Sequence, residues 1–188
     1  MKKGLLILAV LVGVGVLGAM SVIGSRNGLV AADENISNTW AQVENVMQRR
    51  ADLIPNLVET VKGYAKQEKN IFIGVADARA KLAGATSIPG KIDANRQLDG
   101  ALARLLVVVE RYPELKSNQN FQSLQDELAG TENRISVERM RFNEAVKDYN
   151  LRVRTFPSNL AARFFGFEKK DIYFEATEAA KIVPKVQF

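Results

Sequence analysis

Two hydrophobic patterns follow one another along the chain, the first continuous and the second periodic. Gly4 to Gly24 carries no ionisable side chain, with Lys2 and Lys3 before it and Arg26 after it. About 20 such residues in a helix cross the hydrocarbon core of a bilayer. From Ile36 the spacing changes to alternating steps of four and three, through Trp40, Val43, Met47, Arg50, Ile54, Leu57, Val61 and Tyr64. The pattern continues, less purely, through Ile71, Val75, Ala78 and Leu82. A repeat near 3.5 residues puts these positions on one side of a helix that packs lengthwise against others. Read as one rod, the helix runs from residue 36 past residue 80. Pro55 kinks it, because proline removes a backbone donor and its ring crowds the carbonyl four residues back, that of Ala51.

The segment from Ala83 to Gly90, with Ser87, Pro89 and Gly90, predicts a loop. A second helix over Asp93 to Tyr112 carries Leu98, Leu102, Leu105 and Val109 on one face. Its run Leu105 to Val109 is apolar all round, which predicts burial on more than one side. Pro113 and the polar stretch Lys116 to Asn120 make a turn. The third helix, Asn120 to Thr155, aligns Phe121, Leu124, Leu128, Thr131, Ile135, Glu138, Phe142, Ala145 and Tyr149. Pro157 stops it, and Ser158 or Asn159 caps a short helix that ends near Gly166. Asp171 to Phe188 keeps no period and predicts an irregular tail, whose Tyr173, Phe174, Ile182, Val183, Val186 and Phe188 either pack back or dock on a neighbour. The expected fold class is all-α: an N-terminal transmembrane helix followed by an elongated antiparallel helical bundle with long, Pro-kinked helices. The expected divisions are an anchor over 1–26, a connector over 27–35, the bundle over 36–167 and the tail over 168–188.

The apolar stretch exceeds the roughly 7–15 residues of a signal peptide. It is read as an uncleaved anchor, although Val30-Ala31-Ala32 offers a small-residue site further on. Lys2, Lys3 and the α-amino group outweigh Arg26, which by the positive-inside rule favours an outward-facing domain; the opposite topology stays open. Ala9 with Gly13, and Gly15 with Ala19, are small-xxx-small pairs of the kind that let helices approach closely in lipid, although both residues are common in such helices.

Composition narrows the chemistry. The chain has no histidine and no cysteine, which excludes Cys/His zinc sites, histidine-dependent nucleophiles and disulfides. The net charge of +5 includes Lys2 and Lys3, and the remaining charges of both signs are interspersed. That pattern lacks the basic block with interleaved aromatics of a nucleic-acid binder. No catalytic residue, cofactor or metal is expected. The expected partners are the lipid bilayer, further copies of the chain and another membrane protein, but no nucleic acid.

Charged and amide residues near the seams are the candidates for interaction or structural roles. Arg49, Arg50 and Asp52, facing Glu132 and Glu138, form either a ligand or partner site or a device that fixes helix alignment, since a seam charge needs a partner. Asn133, Asn143 and Asn150 suit interhelical hydrogen bonds or carbonyls freed at Pro55, and Asn56 does the same locally. Asp126, Glu127 and Glu132 hold the carboxylates for a hydrolytic pair, but two carboxylates on a helix are more often solvated charges.

Two blocks of the chain carry a specific pattern. The first is Trp40-Ala41-Gln42-Val43, Arg49-Arg50-Ala51-Asp52-Leu53-Ile54-Pro55-Asn56-Leu57-Val58 and Val61-Lys62-Gly63-Tyr64-Ala65. The second is Leu124 to Leu128, Thr131 to Ile135, Arg139, Asn143, Asp148-Tyr149-Asn150 and Phe156-Pro157, closed by Phe165-Gly166-Phe167 and Tyr173-Phe174. These blocks resemble the LemA family, and the resemblance implies a bacterial single-pass membrane protein of the cell envelope, with a helical domain and no assigned activity. This chain departs from the family pattern in having Gln67-Glu68 where His-Glu is usual, and Phe142 where tyrosine is usual. No kinase phosphate-loop or catalytic-loop pattern occurs.

Overall fold

Leu29, within the expected connector, has no exposed surface, so the periodic seam begins earlier than the sequence suggests. In the computed structural model, which describes residues 2–175, the chain forms α1 (Lys2–Tyr64), α2 (Lys69–Gly84), α3 (Ile88–Val109), α4 (Pro113–Lys116), α5 (Gln119–Arg154) and α6 (Ser158–Phe165). No strand occurs among the described residues. The fold is all-α, with packed helices following an apolar N-terminal helix. It divides into two units. The first holds the chain up to Ala41 with Met140–Tyr173, and the second holds Gln42–Arg139 with Phe174.

In the first unit, Leu8, Leu17 and Ile23 are more than half exposed, on a helix long and apolar enough to cross a membrane. Residues 27–35 continue the helix. Leu29 and Ala32 precede Ile36 at spacings of three and four, so they prolong the same buried stripe, with Trp40 next along it. Leu29 packs with Ala161 and Ala162 of α6, against which Val153 and Phe167 also lie. Trp40 meets the Phe142 ring edge-on at a centroid distance of 5.4 Å. Leu29 near Val153 and Trp40 near Phe142 make α1 and α5 antiparallel here. Gly166, at φ 76°, ends α6 in the left-handed region that glycine adopts freely. Ser158 does not cap α6 as anticipated. Its hydroxyl donates to the carbonyls of Arg152 and Thr155, finishing α5 instead.

In the second unit every seam position from Val43 to Val61 is buried, Arg50 included. The rod does not continue to Leu82. Tyr64 is 41% exposed, Ala65 takes the next buried place, and the chain leaves the helix before Lys69. The polar run Lys66-Gln67-Glu68-Lys69-Asn70 offers no apolar residue to hold the stripe. Reversal instead lets Phe72, Val75, Ala78 and Leu82 be buried on α2. Arg79 of α2 reaches Ala51 of α1. A continuous helix would separate the two by about 40 Å. Tyr64 lies beside Asn118 and Arg50 beside Glu132, so α1 and α5 are antiparallel in this unit as well.

The Arg79 contact answers the question raised by Pro55, through which α1 continues. Residue 55 has no N–H for the Ala51 carbonyl, and the asparagines offered from the sequence do not fill the gap. Arg79 Nε donates to that carbonyl at 2.9 Å. Arg79→Leu should lower stability by about 1–3 kcal/mol, the range for an orphaned buried acceptor. In a Pro55→Ala background the helix supplies its own donor, and the penalty should fall to less than about half. Denaturant unfolding of the four chains reads the coupling, and equal penalties in both backgrounds would refute it.

α3 starts at Ile88, inside the expected loop. Pro89 occupies its first turn, where a missing N–H is harmless, and Ser87 Oγ accepts from the Gly90 N–H at 3.1 Å. The apolar run Leu105 to Val109 is not buried all round, since Leu106 is 38% and Val107 69% exposed. Their neighbours Leu105, Val108 and Val109 lie on the stripe that includes Leu98 and Leu102, and one hundred-degree steps turn Leu106 and Val107 off it.

Candidate functional site

The polar centre of the second unit is built by three helices. Arg50 comes from the buried stripe of α1, Asn95 and Asp99 from α3, and Glu132 and Arg139 from α5. Arg50 Nη1 donates to Asp99 Oδ1 at 2.5 Å and to Glu132 Oε2 at 2.6 Å, with only 8% of the arginine side chain exposed. Arg139 approaches the same two carboxylates at 3.9 and 4.0 Å, and its guanidinium lies over the Phe174 ring at 5.2 Å. Asn95 Nδ2 donates to Asp99 Oδ2 at 3.2 Å. Two cations thus face two anions, Arg50 buried and the Asp99 and Glu132 carboxylates each open to solvent over about a third or more of the side chain. Burial raises the Asp99 carboxyl above its ordinary value, the Arg50 guanidinium opposing this and the Glu132 charge adding to it.

Three atoms of this cluster, Arg50 Nε, Arg139 Nε and Asn95 Oδ1, are buried without a protein hydrogen-bond partner. A cavity of about 230 Å³ adjoins it, with Arg50, Leu57, Leu102, Leu106, Leu128 and Glu132 among its walls. The arrangement suits two tasks. It fixes the register of three helices through opposed charges, and its guanidinium donors beside an apolar hollow match the anionic head of a small amphiphile. It holds no histidine or cysteine to act as nucleophile or base at neutral pH, and among the described residues no group of three or more acidic side chains is placed to hold a metal.

The other residues singled out from the sequence are dispersed. Arg49 and Asp52, neighbours of Arg50, are exposed rather than buried beside it, because each residue along a helix turns about 100°. Asp52 accepts from Gln48 Nε2 at 2.9 Å. Pro55, Asn56 and Asn133 are exposed, as are Asp126 and Glu127, and Glu138 is half-buried. Asn56 contributes its backbone carbonyl to the Thr60 hydroxyl at 2.8 Å. Sequence reasoning missed Asp99. The signal for it was the Asn95–Asp99 pair, one helical turn apart and flanking Leu98 on an otherwise apolar face.

The amides of the first unit have a different occupation. Asn143 is half-buried in a shallow groove with Met140, Glu144, Lys147 and Tyr173. Asn150 is buried. It donates to the Lys170 carbonyl at 2.8 Å and the Tyr173 hydroxyl at 2.9 Å, and accepts from the Lys170 N–H at 2.8 Å. The Tyr149 hydroxyl donates to the Glu168 carbonyl at 3.0 Å, and burial, with Asp33 and Glu168 adding, raises its pKa above the ordinary tyrosine value. The Lys170 ammonium pairs with the Asp33 carboxylate. The described part of the tail therefore folds back through hydrogen bonds to its backbone, whereas Ile182, Val183, Val186 and Phe188 lie outside the described residues.

Comparison with known proteins covers most of the chain. Magnetosome protein MamQ 2 of Paramagnetospirillum magneticum is 27% identical over 175 residues, covering 79% of this chain and 64% of that protein. Magnetosome protein MamQ of Magnetospirillum gryphiswaldense is 26% identical, covering 85% and 69%. Protein LemA of Metamycoplasma hominis is 22% identical over 165 residues, covering 85% and 73%. This chain thus spans somewhat less than two thirds of the length of the first of these relatives. The LemA family profile matches residues 39–188, from just before Trp40 through both polar centres described above. On that match, the chain belongs to the LemA family.

Proposed function

We propose that the chain is a membrane-tethered helical scaffold of the bacterial cell envelope that associates with its own copies or with another membrane protein and performs no catalysis. The observation that carries this reading is the continuity of α1. A run of lipid-length, exposed apolar residues passes without a break into the buried stripe at Leu29, Ala32, Ile36 and Trp40. The domain sits against the inner membrane, on the extracytoplasmic side by the flanking charges. Lateral association has apolar surface to use in Ile73 of α2 and Val107 of α3, 57% and 69% exposed. Light scattering of the detergent-solubilised full chain should give a mass above that of one chain, and Val107→Glu should move it toward the monomer. A strict monomer at every concentration would remove the self-association reading.

A second reading is favoured by the orphaned donor at Arg50 beside its cavity. In it the domain senses a small envelope ligand between its helices, with Pro55 as hinge. A thermal-shift screen with anionic envelope fragments separates the two, because a ligand bound only by the folded state raises the apparent stability.

A further inference from the structure

Helix α6 is apolar on two opposite sides, and protein covers only one of them. Ala161 and Ala162 are buried against Leu29. Leu160 and Phe164, one turn apart on the other side, are 56% and 81% exposed, and Phe156, just before the helix, is 78% exposed. Three large apolar side chains in nine residues of a water-facing surface have no folding rationale, since burying them elsewhere would stabilise the domain by about 1.5–3 kcal/mol each.

Their position supplies a rationale. Phe165 of the same helix lies under the Arg26 guanidinium, 5.3 Å from the ring centroid. Arg26 is the first charge after the apolar run ending at Gly24, so α6 is held at the level where the anchor emerges from lipid. That level is the headgroup–acyl boundary, where aromatic rings and arginines concentrate. Exposed Arg154 and Arg163 flank the aromatic residues, and with Arg26 they complement anionic headgroups.

We propose that α6 and Phe156 form a second membrane contact, in which Phe156, Leu160 and Phe164 enter the interface of the bilayer that the N-terminal helix crosses. The assignment rests on the reading of that helix as an anchor. The contact is interfacial rather than spanning. α6 is far shorter than a bilayer crossing and its apolar face is bordered by arginine, so the rings insert about 5–10 Å below the headgroups. It gives the domain two points of attachment to one membrane.

The absence of cysteine permits single fluorescent labels on the full chain. We would place an environment-sensitive label at Phe164→Cys and at Val12→Cys within the anchor, with Phe156→Cys as an independent reporter should the first variant misfold. The chains are reconstituted in phosphatidylcholine–phosphatidylglycerol nanodiscs whose lipids are brominated either near the headgroup or deep in the acyl chain. Shallow bromines should dim the Phe164 and Phe156 labels about twofold, as expected for side chains at the interface. Deep bromines should act most on Val12. If Val12 is quenched and the Phe164 and Phe156 labels are equally bright in all lipids, the proposal fails and the anchor stands. If Val12 is not quenched, the anchor reading itself fails and takes the proposal with it. Labels at Phe164 and Phe156 that ignore bromine yet are shielded from aqueous iodide are covered by protein, a second copy or another membrane protein, which also overturns the lipid assignment.

Discussion

Arg50→Met is expected to destabilise the second unit by about 2–3 kcal/mol, the upper end for hydrogen bonds to charged groups and less than for a fully buried ion pair, because Asp99 and Glu132 stay partly open to solvent. Asp99 and Glu132 would then face each other with Arg139 alone, at 3.9 and 4.0 Å, to separate them. The effect follows from the two charges left behind more than from the bond removed. Arg50→Met combined with Asp99→Leu and Glu132→Leu should therefore regain most of the loss, because an apolar cluster of similar volume replaces an ionic one at little cost. Thermal unfolding of both variants, followed by circular dichroism, makes the comparison, with each kcal/mol worth about 2–4 °C in a chain of this size. If the single and triple substitutions lower the melting temperature equally, the cluster is not an opposed-charge device. Restoration of stability with a changed oligomeric mass would assign it to helix alignment.

Phe142→Ala should lower the stability of the first unit by about 3–5 kcal/mol, through lost apolar transfer and the cavity left beside the indole. Phe142 has no exposed surface, and Trp40 is 8% exposed. Because Trp40 is the sole tryptophan, its emission reports the same site, and water entering the cavity should shift it to longer wavelength in the folded state. An unshifted emission with an unchanged melting temperature would mean that the Trp40–Phe142 pair carries little of the packing. Phe142→Leu, which keeps most of the volume, should recover over half of the loss.

Much of the architecture was legible from spacing. The stripe from Ile36 to Val61 needs only a 3.5-residue repeat, and the structure buries every member, including the one charged residue. The errors have a common cause. Periodicity reports which side of a helix is buried but not where the helix stops or turns, so residues 27–35 looked like a linker because Arg26, Asn27 and Gly28 interrupt the apolar count. The reversal after Tyr64 was hidden because Val75, Ala78 and Leu82 keep the repeat on a different helix. The charge centre was half legible. Arg50 betrays itself by occupying a stripe position, whereas Asp99 and Arg139 become its neighbours only through packing of three helices. Arg79 carries no sequence signal at all, because its task, satisfying the Ala51 carbonyl, exists only once Pro55 has freed that oxygen and α2 has folded back.

The uninterrupted passage of α1 from the apolar run to Trp40 also has a mechanical consequence. With the apolar run as the anchor proposed above, a flexible tether would let the first unit swivel over its membrane and sample neighbours from any approach angle. A rigid shaft makes its orientation follow the tilt of the lipid-crossing segment, which responds to the match between apolar length and bilayer thickness. Thinner or thicker lipid would then lean Leu29, Trp40 and everything packed on them by the same angle, turning bilayer geometry into the pose offered to a neighbouring molecule.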